Sequence, residues 1–88
     1  MTRCLTIVNK RGLHARASAK FVQTVEKFNA SVSVTKDGMQ VGGTSIMGLM
    51  MLAAGINSTI LVSSAGAEAE QALDAIEALI ANRFGEES

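Results

Sequence analysis

Residues 29–43 read NASVSVTKDGMQVGG, and this stretch decides the fold class. Ala30, Val32 and Val34 alternate with Ser31, Ser33 and Thr35, so a strand here has one apolar face and one wet face. Asp37-Gly38 is the dipeptide that a two-residue hairpin turn demands, because both positions take positive φ. Met39, Gln40 and Val41 return as the second arm, and Gly42-Gly43 ends it. At least two strands are therefore antiparallel neighbours, in a sheet with one face to cover.

Towards the start of the chain, Arg3 to Val8 reads as a strand with Leu5 and Ile7 on one face, broken by Asn9-Lys10-Arg11-Gly12. A helix begins at about Ala15. Ser18, Phe21, Val22, Val25 and Phe28 form its buried stripe, with Arg16, Lys20, Gln23, Thr24 and Lys27 opposite. Asn29, tolerant of the left-handed conformation, is the expected stop. Beyond the hairpin, Thr44 or Ser45 caps a short helix running to Ala54, with Gly55 closing it. Thr59 to Ser64 is a fourth strand, and Gly66 opens a turn. The last helix spans about Glu68 to Arg83. Ala69, Leu73, Ile76 and Ile80 make its stripe, widened by Ala72 and Leu79, and Glu68 and Glu70 complement its positive end. Glu86, Glu87 and Ser88 read as a frayed end. The order βαββαβα, with one apolar stripe per helix, predicts an α+β fold: one sheet with every helix on the same side.

The 88 residues suffice for one domain, 1–88, and hold no proline, linker or repeat. Eight basic and eight acidic side chains cancel, and three Phe with no Tyr or Trp offer no stacking platform. Both features argue against a nucleic-acid partner. The single Cys4 excludes an internal disulfide and a cysteine metal cluster, so no metal is expected. The longest apolar run, Ile46 to Ile56, is interrupted by Gly48 and Gly55 and is too short to span a bilayer. No secretory pattern opens the chain, so cytoplasmic residence without membrane insertion is expected.

The lone histidine, His14, stands where a strand gives way to a helix. The first amides of a helix lack internal partners and the dipole makes that end positive, which suits an anion. A phosphoryl group on His14 meets the amides of Ala15, Arg16 and Ala17 there, and Arg16 can add a fork of donors. The same field favours the neutral imidazole, the only form able to attack phosphorus. A general-base enzyme is the competing reading. It requires an orienting carboxylate, and within twenty residues of His14 the only acid is Glu26, on the same helix.

Gly12-Leu13-His14-Ala15-Arg16 resembles the phosphorylation-site motif of HPr, the histidine-containing phosphocarrier family of the bacterial phosphotransferase system. Ser45-Ile46-Met47-Gly48-Leu49-Met50 resembles that family's regulatory serine segment, and the likeness covers the whole chain. The resemblance implies an open-faced sandwich of four antiparallel strands with three helices on one face. It implies that enzyme I phosphorylates His14 on Nδ1 with a group drawn from phosphoenolpyruvate. An enzyme II A component then accepts the group, Arg16 assists, and no cofactor is held. A nitrogen-type relative, signalling by phosphorylation-dependent binding without sugar transport, is the alternative. Two positions depart from the family: Ala17 stands where a proline usually follows the arginine, and Thr44 where a lysine often precedes the serine.

Ser45 reads both as a helix cap and, through the resemblance, as a regulatory phosphorylation site for an HPr kinase/phosphorylase. The helix after it is too apolar for a domain that buries one stripe. Leu49 and Leu52 are the core candidates, and Ile46, Met47 and Met50 the partner-docking candidates, methionine suiting a surface that fits several partners. Lys20, with Arg16 and Lys27, adds a basic stripe that steers acidic partners. Nothing in the sequence demands an oligomer, and a monomer is expected.

Overall fold

A computed structural model describes residues 1–88 as β1 (Thr2–Thr6), α1 (Ala15–Val25), β2 (Ser31–Lys36), β3 (Met39–Gly42), α2 (Ile46–Met51), β4 (Thr59–Ala65) and α3 (Ala69–Ala81), then a 3-10 turn, Arg83–Gly85. The hairpin obeys its turn chemistry. Lys36 pairs with Met39, and Asp37 and Gly38 take φ of 50° and 82° between them. The four strands are all antiparallel, in the order β1-β4-β2-β3. Leu5 faces Ile60, and Val34 faces Val62; all four are buried. On the interior strand β4, Leu61 is 45% exposed while its neighbours Ile60 and Val62 are closed off, so the helices cover one face of the sheet and leave the other open. This is the expected open-faced α+β sandwich.

The core joins that covered face to Ala17, Phe21, Val22 and Val25 of α1, Leu49 of α2, and Ala72, Leu73, Ile76 and Ile80 of α3. Ser18, in the stripe of α1, is also buried, and its hydroxyl donates to the Leu13 carbonyl at 3.1 Å. Phe28 is only partly buried.

Several boundaries differ from expectation, each because a tertiary contact overrides local pattern. β1 stops at Thr6, although Ile7 is fully buried and bonded to Asn57 and Ser58 through its backbone. α1 ends at Val25, and Asn29 does not take positive φ. Its amide instead donates to the Glu68 carboxylate (2.7 Å) and its carbonyl accepts from the Glu68 amide (3.0 Å), so the loop is fastened to the start of α3. α2 ends at Met51, and the left-handed position falls on Ala53 (φ 52°), not Gly55. That turn sends Ala54 inward, where its carbonyl accepts from the Leu13 amide at 2.9 Å.

The largest difference lies at the end. α3 stops at Ala81, and Arg83 and Phe84 both adopt left-handed φ, 55° and 53°. Each costs a non-glycine residue about 1–2 kcal/mol. Full burial of the Phe84 ring contributes about 1.5–3 kcal/mol in return, and Lys20 Nζ donates to the Phe84 carbonyl at 2.6 Å. Anchored so, residues 86–88 are not frayed. Glu86 is partly buried and bonded, and the Lys10 amide donates to the Ser88 carbonyl at 3.0 Å.

Candidate functional site

The site is built on the loop between β1 and α1. Asn9 is fully buried, and its Nδ2 donates to the Gly12 carbonyl (2.9 Å) while the Gly12 amide donates to the Asn9 carbonyl (3.2 Å). Gly12 has φ of 67°, and a Cβ placed on it would lie 2.4 Å from the Ala54 carbonyl oxygen. Only glycine lets the loop pass this close to the backbone after α2. Leu13 docks on the same carbonyl, and Ser18 closes the turn from below through the Leu13 and His14 carbonyls.

His14 is thereby set as the N-cap of α1, with extended backbone (φ −73°, ψ −179°). Its side chain makes no capping bond. The amides of Ala15, Arg16 and Ala17 consequently have no protein acceptor, which leaves the positive end of the helix open beside the imidazole. Arg16 is exposed and makes no hydrogen bond or ion pair, so its guanidinium donors are free as well. The sequence placed these four residues together, and so does the structure.

The imidazole itself is 17% exposed. Its Nε2 lies 2.5 Å from Glu86 Oε2, and Glu86 Oε1 accepts from Asn9 Nδ2 at 3.1 Å. His14 Nδ1 has no protein partner. Partial burial pushes the Glu86 carboxyl up, but the hydrogen bonds from His14 and Asn9, with the charge of Arg11, outweigh it and hold the group below its ordinary value. No acid close to His14 in sequence orients the ring; the carboxylate that does so comes from 72 residues away. Asn9 and Glu86 were both missed. One signal was available: Phe84 falls four residues after Ile80, continuing the apolar stripe of α3 and holding the tail against the body.

An open hollow of about 310 Å³ adjoins the ring, lined by Arg11, Leu13, His14, Met50, Ala53, Ala54 and Gly55. It joins His14 to the apolar surface of α2. There Ile46 (41%), Met47 (72%) and Met50 (42%) are exposed while Leu49 and Leu52 are buried, dividing the helix as its sequence suggested. Met51 and Ile56 extend the exposed patch beyond the residues expected. Ser45 is the N-cap of α2, its Oγ accepting from the Gly48 amide at 2.9 Å. Lys20 differs from expectation. It is half-buried and its ammonium is committed to the Phe84 carbonyl, so it ties α1 to the tail rather than standing free on a basic rim. No helix is long and apolar enough to cross a membrane.

Residues 1–82 match the protein-family model described as PTS HPr component phosphorylation site. The chain is 54% identical over 86 residues to phosphocarrier protein HPr of Cupriavidus necator, covering 98% of this chain and 97% of that one. It is 39% identical over 88 residues to phosphocarrier protein NPr of Shewanella violacea, covering 100% and 97%. Among solved structures, HPr-C-His from Thermoanaerobacter tengcongensis superposes with a TM-score of 0.94 at 41% identity, covering 100% of this chain and 99% of the other.

Proposed function

We propose, from the premise that the chain belongs to the HPr family of phosphocarrier proteins of the phosphotransferase system, that it carries its phosphoryl group on His14 Nδ1. The observation that carries this reading is an N-cap histidine with an unpaired Nδ1 beside three unpaired helix amides. Nδ1 of the neutral ring attacks the phosphorus of a phosphohistidine on enzyme I. A new N–P bond forms as the donor's N–P bond breaks, and the electron pair of the broken bond stays with the donor nitrogen. The incoming oxygens rest against the amides of Ala15, Arg16 and Ala17 and the guanidinium of Arg16, where charge-assisted bonds are strongest. An enzyme II A histidine then attacks the same phosphorus and the group moves on. The domain, residues 1–88, works in the cytoplasm as a monomer and is consumed and regenerated like a substrate, so it is not itself an enzyme.

Docking is assigned to Ile46, Met47 and Met50, exposed apolar side chains of α2, of which Met50 also lines the hollow beside His14. Ser45 sits at the edge of that patch as an exposed cap. Phosphorylation by an HPr kinase/phosphorylase puts close to two negative charges there, which the helix start tolerates and an acidic partner surface does not. The higher identity to an HPr than to an NPr relative supports the sugar-transport branch over the nitrogen-type one.

The test is incubation with phosphoenolpyruvate and enzyme I, followed by intact mass. The protein gains one acid-labile, base-stable phosphoryl group, and His14→Ala gains none. Labelling that survives this substitution overturns the site.

A further inference from the structure

We propose that Glu86 is a positioning residue for phosphoryl acceptance: its carboxylate, oriented by Asn9, holds His14 in the Nε2–H tautomer and so presents Nδ1 as the nucleophile. The inference rests on the reading that His14 carries the phosphoryl group. A neutral imidazole has one N–H and one lone pair, whereas an ionised carboxylate only accepts. The ring nitrogen 2.5 Å from Glu86 Oε2 therefore holds the proton, and the lone pair lies on Nδ1.

The same contact serves the transfer. As the Nδ1 lone pair bonds to phosphorus, the donor's N–P electrons leave with the donor, and the ring becomes an imidazolium. Its remaining N–H faces Glu86, so the new positive charge meets a carboxylate and no proton has to depart. On delivery the N–P electron pair returns to Nδ1, restoring the starting tautomer. A carboxylate behind a histidine plays this part in hydrolytic triads, where it orients the ring and stabilises the imidazolium.

Glu86 is held from both sides. Asn9 Nδ2 donates to Glu86 Oε1 and to the Gly12 carbonyl, both acceptors only, so its carboxamide has a single satisfactory orientation. Behind Glu86 stand the buried Phe84, the Lys20 bond to its carbonyl, and the Lys10 bond to Ser88. The hydrogen bonds from His14 and Asn9, with the charge of Arg11, hold the carboxyl below its ordinary value, so it is ionised at neutral pH. Lys20 and Arg83 are engaged with the Phe84 and Glu87 carbonyls.

Glu86→Gln makes the discriminating variant. Asn9 still needs an acceptor, so the amide oxygen of the introduced glutamine turns to Asn9 and its NH2 turns to His14. The ring must then accept at Nε2, which moves its proton onto Nδ1 and blocks the nucleophile. Nitrogen-15 long-range spectra of the imidazole should show Nε2–H in the parent chain and Nδ1–H in Glu86→Gln. With enzyme I, kcat for phosphorylation should fall at least about tenfold, because the ring is held in the wrong tautomer, as in a triad histidine whose carboxylate becomes an amide, with KM for the carrier unchanged. Glu86→Ala, which imposes neither tautomer, should show a mixture and a smaller fall. An Nε2–H ring and parental kcat in both variants overturn the proposal. So does a loss confined to KM, which assigns Glu86 to docking instead. Failure of the parent chain to take phosphate on His14 is seen separately by intact mass, and it sinks the carrier reading rather than this one.

Discussion

Two helices of this molecule begin on an extended residue, and only one of them closes its own end. Ser45 starts α2 with φ −107° and ψ 104°, and its hydroxyl turns back to accept from the Gly48 amide. His14 starts α1 with φ −73° and ψ −179°, and its ring turns away towards Glu86. The backbones are alike. The difference is which side chain can reach its own helix: a one-carbon hydroxyl satisfies the N3 amide, whereas the imidazole held by Glu86 leaves three amides open. An uncapped helix start is a local loss of stability of about 1 kcal/mol, and the same lack of partners is what gives an anion somewhere to bind.

That contrast can be broken outright by His14→Ser, which makes α1 cap itself as α2 does. The variant is expected to accept no phosphoryl group from enzyme I by intact mass. It should nevertheless be more stable than His14→Ala by about 1 kcal/mol, the worth of a serine cap, in urea unfolding. A His14→Ser chain no more stable than His14→Ala would mean the open amides were never available.

Gly12→Ala probes what keeps the start of α1 in place. Its Cβ would meet the Ala54 carbonyl at 2.4 Å on a residue with positive φ, so both the loop and the turn after α2 must shift. A loss of about 2–4 kcal/mol is expected by urea unfolding, within the range for strained-backbone and steric substitutions. A neutral outcome would show the approach of the two loops to be dispensable.

Ser45→Ala sharpens the other side of the comparison and has the smallest effect. Losing the bond to Gly48 should cost about 1 kcal/mol in urea unfolding, while phosphorylation of His14 proceeds at the parental rate. A slower rate would mean that the cap of α2 shapes the docking surface as well as its own helix.

Legibility followed distance along the chain. The Asp37-Gly38 hairpin was readable because a turn is dictated by the residues that make it. So were the cap position of His14, the cap role of Ser45, and the split of α2 into buried Leu49 and exposed Met47. Element ends were less legible. Asn29 has the chemistry of a helix stop, but its bonds to Glu68 hold it in another conformation. Ala53 rather than Gly55 turned left-handed because Ala54 had to meet Leu13.

Taken alone, the order of apolar and polar residues determined the sheet, the helices and the residue at the open helix start, because periodicity and capping act over a few positions. Which nitrogen of His14 is free was decided only in three dimensions. Phe84 had to be buried against the covered face before Glu86 could reach the ring. Hydrophobic burial has no direction and no sequence range, so the carboxylate it delivers leaves no mark near the histidine it serves.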